Sequence, residues 1–508
     1  MRETSRTEYS MRNSIVAFVC KALVLLFAYA SRVVFVRVLD VDSAGAYGLL
    51  NNILIIFSLN SLGIDSAMVF MLYAPVAVRD LEKQKRLMRL YRSVHLAVGG
   101  AVTAAALLLW FLLPLISPEA LRLPDFPLVY WLFAGNVIAG YFQSHKPMIF
   151  LADQRNYFNE AFEAGQLILQ YVLQIVLLIT TRSFVLYTLV FFALLPVKNA
   201  AATRFAHRKY PYLKEKARGA PPKEEKRLLG RNLWAILVQR SGVQLIGFTN
   251  TVILSGYYGI GTMAKYANYT LILTAVRQLF EKLVNGVMGS VGNLGATAKG
   301  ESVEEVYRAA LLLTCALYGT ASVCLFEVIG LFVRLSFGPD YVYGTAITLV
   351  MCLNFYLNGI RTVTNTFRNS LGLFWNARFF GLLEALGNLL FSLGAMAVLG
   401  EVGVFIGTTL SMLAVPIWME PRVLYQGAFR RPLSAYFRRA GLYFLAVLAS
   451  GAAAHFLCGS IGGPLLLRLL LRGAVSAAVS AGLLLLMFRS TKEFKTLRAS
   501  LASVLRKT

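Results

Sequence analysis

Five cations lie deep within apolar stretches of the sequence: Lys21, Arg32, Arg240, Arg277 and Arg361. They outnumber the acids at comparable depth, Asp65, Glu281 and Glu384. An arginine fork matches the oxygens of a phosphate, and a lysine adds a point charge beside it. Such a set suits an anionic ligand. The acids would either pair with these cations or carry coupling ions. Glu163 joins them as a candidate for ion coupling, because Glu163-Ala164 and Glu384-Ala385 stand early in two apolar segments in the same way.

Other polar residues stand in register with these charges. Asn354, Asn358, Arg361, Asn365 and Arg368 are spaced by alternating fours and threes, which is one face of a helix. Thr270, Thr274, Arg277, Gln278, Glu281, Lys282 and Asn285 form a second stripe. Asn51, Ser58, Ser61 and Asp65 form a third, Lys21 and Arg32 share a side three turns apart, and Arg240 is followed one turn on by Gln244. A single such residue is explained by hydrogen bonding between packed helices, worth about 0.6 kcal/mol per bond. Five in register around a central arginine point instead to a wet cavity.

The elements that must position these residues are set by composition. The chain has 508 residues, of which 57% are hydrophobic and 15% charged, and its mean hydropathy is +0.62. A soluble protein carries about 25% charge, and a chain this apolar has too little polar surface to cover it in water. Spanning helices need about 20 mostly apolar residues. The sequence predicts them near 13–38, 44–73, 93–117, 127–147, 158–181, 183–205, 232–256, 263–295, 309–334, 342–368, 379–399, 403–425, 440–458 and 473–489. That is fourteen, with twelve as the alternative count. The polar start MRETSRTEYSMRNS runs into the first of them, which reads as a membrane helix and not a signal peptide.

Fifty Lys+Arg against 25 Asp+Glu give a formal charge of +25. No soluble segment is long enough to turn that charge toward nucleic acid. With the N-terminus in the cytoplasm, 31 of the 50 cations fall in cytoplasmic segments, 4 in outer ones (Arg122, Arg182, Arg468, Arg472) and 15 within spans. This strong positive-inside bias predicts both termini in the cytoplasm. The outer loops are too short for an extracytoplasmic domain. The longest polar stretch, 206–231, carries Pro211, Pro221 and Pro222 with mixed charge, reads as a cytoplasmic linker, and should favour the anionic inner leaflet.

The segment after this linker echoes the N-terminus. Arg12-Asn13 and Arg231-Asn232, Lys21 and Arg240, and Tyr47 and Tyr266 recur at one offset, and Tyr91-Arg92 with Tyr307-Arg308 and Leu151/Asn156 with Leu371/Asn376 at nearly the same one. The offset covers six spans, an even number, so it predicts a parallel repeat of the kind transporters use. The expected organisation is a six-helix bundle over 1–205, the linker 206–231, a second bundle over 232–425, and two extra helices with a basic tail over 426–508.

No other chemistry is signalled. There is no P-loop and no H-E-x-x-H. Gly259-Ile-Gly261-Thr-Met-Ala264 lies in a loop without a βαβ unit, and Asn268-Tyr-Thr270 lies within a span. The histidines His95, His145, His207 and His455 and the cysteines Cys20, Cys315, Cys324, Cys352 and Cys458 are scattered, as core or interface residues are. Glycines at 286, 289, 292 and 295 permit close helix approach or bending. No cofactor or metal is expected.

The opening RNSIVAFVCKALVLLFAYASRVVFVRVL, with AGAYGLLNNIL, MAKYANYTLIL, GSVGNL and TFRNSLGLFWNARFFGLLEALGNLL, resembles the bacterial polysaccharide-biosynthesis flippases of the multidrug/oligosaccharidyl-lipid/polysaccharide exporter superfamily. The resemblance covers spans one to about twelve. It implies an all-α integral membrane protein with two six-helix bundles around a central cavity and extra C-terminal helices, working by alternating access and not as an enzyme. It implies a polyprenyl-pyrophosphate-linked oligosaccharide as cargo and a bacterial cytoplasmic membrane as location, with membrane lipids, a polysaccharide polymerase and glycosyltransferases as candidate partners. The candidate cavity residues are then Lys21, Arg32, Asn51, Asp65, Arg240, Gln244, Arg277, Glu281, Asn354, Asn358, Arg361 and Asn365. Asp65, Glu163, Glu281 and Glu384 are the candidates for ion coupling. A cation-coupled multidrug exporter and a peptidoglycan-precursor flippase are the alternatives within the superfamily. A membrane glycosyltransferase or polymerase is a more distant one, disfavoured by the short outer loops.

Overall fold

The computed structural model describes residues 6–58, 64–143, 146–153, 155–215, 222–297, 301–371, 373 and 378–505. Side-chain surroundings are described within these ranges except for 6–15, 55, 64–67, 70, 74, 143, most of 223–243, 282–297, 301–302, 369–370 and 499–505. Among the described residues every regular element is helical. The helices are α1 (Arg6–Val38), α2 (Val41–Leu54), α3 (Ile64–Ala77), α4 (Leu81–Ile116), α5 (Phe126–Gln143), α6 (Met148–Ala152), α7 (Tyr157–Thr181), α8 (Phe184–Lys209), α9 (Lys223–Tyr258) and α10 (Ile260–Thr297). They continue as α11 (Glu301–Ser336), α12 (Thr345–Ser370), α13 (Phe380–Leu399), α14 (Glu401–Ala414), α15 (Pro416–Leu424), α16 (Ser434–Gly459), α17 (Leu465–Phe488) and α18 (Lys492–Leu505).

Each of the fourteen predicted spans falls on a helix or a broken pair of helices, and ten of the helical stretches meet the length and apolarity a bilayer crossing needs. Large apolar side chains such as Phe111, Leu115 and Val398 are more than 70% exposed, as a lipid-facing surface requires. Two spans depart from the expected continuous helix. The second, expected over 44–73, is divided into α2 and α3, with a 3-10 turn over Ile55–Phe57. Residues 59–63 of this span lie outside the described residues. The twelfth, expected over 403–425, breaks at Val415. Pro416 cannot continue a helix there but can open α15, and a π turn over Tyr425–Phe429 follows.

The chain forms two compact units, Met1–Ala267 and Asn268–Thr508, whose boundary lies within α10. In the first, α1 packs along α7, α7 along α8, α8 along α5, and α5 on α4 and α2, while α9 lies against α2, α3 and α4. Gly45 and Gly48 let the start of α10 approach α2. A Cβ at Gly45 would collide with the Ile260 carbonyl, and one at Gly48 would stand 2.9 Å from Ala267 Cβ. In the second unit α11 is the central helix, packed on α12, α16, α17 and α18, and α13 and α14 form a tight hairpin beside α12.

Within each unit the loops sort onto opposite ends. In the first, Lys85 binds Glu82 and Glu215 at 2.7 Å each, Tyr212 donates to Gln84, and Tyr210 donates to Asp153. Burial, helped by Asp153, pushes the Tyr212 phenol up to about 12. Segments 75–92, 148–157 and 206–215 therefore share one end. At the other, Glu119 accepts from the Ile260 amide at 2.9 Å beside Gly259, whose φ of +80° makes the turn between α9 and α10. In the second unit Arg431 lies 3.4 Å from Glu304 and Arg439 3.5 Å from Glu493, while Glu327 joins His455 (2.7 Å) and Arg472 (3.9 Å) at the far end of α11. This sorting is the one that alternating spans demand.

Candidate functional site

The first unit holds a half-open cavity of about 600 Å³, lined by polar and apolar residues of α2, α5, α7 and α8. Asn51, Asn136, Asn159, Gln166 and Asn199 bring amides to it from all four helices. Glu160, Glu163 and Lys198 bring charge, and Phe133, Phe162 and Phe191 bring flat apolar faces. The amides are fixed by their own bonds. Asn136 donates to the Phe191 carbonyl at 2.7 Å, and Asn159 to the Pro147 carbonyl at 3.2 Å and to Asn156 at 3.1 Å.

One wall continues inward as a ladder along α7. Gln166 donates to Gln170 at 2.8 Å, Gln170 to Gln174 at 3.4 Å, and Gln174 to the Tyr187 carbonyl at 2.9 Å. Beyond it, the Tyr187 hydroxyl lies 3.1 Å from Ser31 Oγ, and Arg32 is packed near the rings of Phe35 (5.6 Å) and Tyr47 (5.3 Å) while donating to the Ala44 carbonyl at 3.3 Å. The glutamine ladder was missed by the sequence reading, which looked for charge. Its signal was present all the same, as three glutamines spaced by four along α7.

The polar face of α12 in the second unit is engaged in packing. Arg361 donates to both oxygens of Glu384 on α13, at 2.8 Å each, and to both oxygens of Glu420 on α15, at 3.1 and 3.3 Å. Its remaining bond is to Asn358, at 3.5 Å. Arg368, two turns further and buried, acts electrostatically on Glu420, so two cations balance two anions. Asn354 donates to the Phe405 carbonyl at 3.0 Å and accepts from Thr409 at 2.7 Å, and Asn358 donates to the Asn354 carbonyl.

The other candidates are dispersed. Asn51 is exposed to the first unit's cavity, and Glu163 lines the same cavity, where its charge acts on Lys198. Lys21 and Gln244 are half-buried on α1 and α9. Arg277 and Glu281 form a half-exposed pair at 3.7 Å on α10, and Asn365 carries a buried oxygen without a partner on α12. Asp65 and Arg240 lie on α3 and α9, and their side chains fall outside the described residues, as do those of Lys282 and Asn285. Ser61, His145 and Asn376 lie outside them altogether. Through the glycines at 286, 289, 292 and 295, α10 runs as one helix.

No family model and no curated protein matches the chain. Solved structures do. The lipid II flippase MurJ in an inward closed conformation aligns with a TM-score of 0.67 at 11% identity, over 94% of this chain and 99% of MurJ. An inward-facing multidrug resistance transporter of the MATE family, in the MOP superfamily, aligns at 0.62 and 15% identity, over 79% of this chain and 95% of that one. A MOP superfamily transporter from Pyrococcus furiosus, described by the reversed polarity of its binding pocket, aligns at 0.55 and 14% identity, over 81% and 93%. The chain is thus a multi-pass helical membrane protein with the fold of the MurJ flippase and the MATE transporters of the MOP superfamily.

Proposed function

We propose that this protein is a flippase that carries a polyprenyl-pyrophosphate-linked oligosaccharide across the bacterial cytoplasmic membrane by alternating access. The observation that carries the reading is the fold shared with the lipid II flippase MurJ over 94% of the chain. In this reading the bundles over 1–205 and 232–425 move against each other, and both termini face the cytoplasm. The cations Lys21 and Arg240 of the first unit receive the pyrophosphate, and the lipid tail stays in the bilayer. An anion moving outward gains about 2.3 kcal/mol per charge for each 100 mV of membrane potential, which supplies a driving force. A polysaccharide polymerase and glycosyltransferases would act on the same lipid before and after it.

A second reading, a cation-coupled exporter, is favoured by Glu160 and Glu163, which leave the first unit's cavity with more acid than base. Deletion of the gene separates the two. A flippase deletion accumulates the lipid-linked saccharide on the inner leaflet and loses surface polysaccharide, whereas an exporter deletion leaves both unchanged and raises sensitivity to cationic drugs.

A further inference from the structure

We infer that the cavity of the first unit is a saccharide subsite, built to take the hydroxyl-bearing part of the cargo and to exclude its phosphates; this deepens the flippase reading and rests on it. The cavity volume, about 600 Å³, falls within the range of small-ligand pockets. A sugar hydroxyl both donates and accepts, and so does each amide that α2, α5, α7 and α8 present. Phe162 and Phe191, both half-buried, line the cavity with aromatic rings, on which the C–H side of a pyranose can pack.

Two further observations point to a ligand. Asn199, only 3% exposed, is one of the cavity's lining residues, and its buried Nδ2 has no hydrogen-bond partner. An unmet buried donor is costly, and an acceptor on the cargo would offset that cost. The charge is also of the wrong sign for a phosphate. Glu160 and Glu163 outweigh Lys198, on which Glu163 already acts, so a pyrophosphate would meet repulsion here while a neutral or amino sugar would not. The glutamine ladder holds this wall by tying Gln166 through Gln170 and Gln174 to the Tyr187 backbone.

The test uses the full-length protein in lipid nanodiscs, with three probes: polyprenyl pyrophosphate, the same lipid bearing an N-acetylglucosamine disaccharide, and free chitobiose. The saccharide-bearing lipid is expected to bind at least 10-fold tighter than the bare lipid. Asn199→Leu and Gln166→Leu are expected to remove that increment while leaving the bare-lipid affinity unchanged. Asn51→Cys, on the exposed edge of the cavity, keeps the proposal testable should either variant misfold. Its maleimide labelling, corrected for the wild-type cysteines, is expected to slow when chitobiose or the saccharide-bearing lipid is added and not with the bare lipid. Labelling unaffected by either saccharide, or variants that weaken both lipids equally, would overturn the subsite. Protection by chitobiose in a protein that flips no lipid would uphold the subsite and overturn the flippase reading.

Discussion

Arg361 decides whether the polar face of α12 serves packing or cargo. Its guanidinium makes four hydrogen bonds to two carboxylates, and Glu384 and Glu420 are only 1% and 4% exposed. Arg361→Ala removes the cation and leaves two buried anions, Glu384 with no cation and Glu420 with Arg368 alone. Breaking a buried pair in this way costs about 3–5 kcal/mol, a loss of about 100-fold or more in the folded-to-unfolded ratio. The double variant Arg361→Gln with Glu384→Gln keeps one cation and one anion, Arg368 and Glu420, and leaves neutral partners that still hydrogen-bond. It should recover at least half of the lost stability. The assay is reversible unfolding of the purified protein in mixed detergent micelles, alongside reconstituted transport. Arg361→Ala should be unstable, and the double variant should fold and still transport. An Arg361→Ala protein as stable as wild type but unable to transport would refute the packing role and return Arg361 to the cargo.

Three smaller perturbations probe the frame around the cavity and the hairpin. Gly407→Ala places a methyl group against the Ser392 backbone and should cost about 1–3 kcal/mol in the same unfolding assay, whereas Gly482→Ala, which meets nothing, should be near neutral. Gln174→Leu removes both the donor to the Tyr187 carbonyl and the acceptor for Gln170, and is expected to cost about 1–3 kcal/mol. Glu119→Ala removes the acceptor of the Ile260 amide, and hydrogen exchange at that amide should accelerate while exchange in the core of α11 is unchanged.

Hydropathy made the spans legible, because a long apolar run in a bilayer satisfies its own backbone as a helix. The break in span twelve was written locally too, in Pro416, but a count of apolar residues passes over it. The site was less legible. Spacing placed Asn354, Asn358 and Arg361 on one face correctly, yet spacing on one helix does not say what stands opposite. Glu384 and Glu420 arrive there from two other helices. The reverse error hid the cavity of the first unit. Asn51 and Glu163 were legible as candidates, but the other amides come singly from α5 and α8, and on α7 the glutamines carry no charge to draw notice.

The central claim is tested most directly by reconstituting the purified protein into proteoliposomes that carry a fluorescent polyprenyl-pyrophosphate-linked disaccharide and following its movement between leaflets with a membrane-impermeant quencher. The account predicts protein-dependent movement, faster under a membrane potential oriented to drive the anion across. No movement of the lipid under any potential, together with uptake of a cationic drug driven by a proton or sodium gradient, would contradict it.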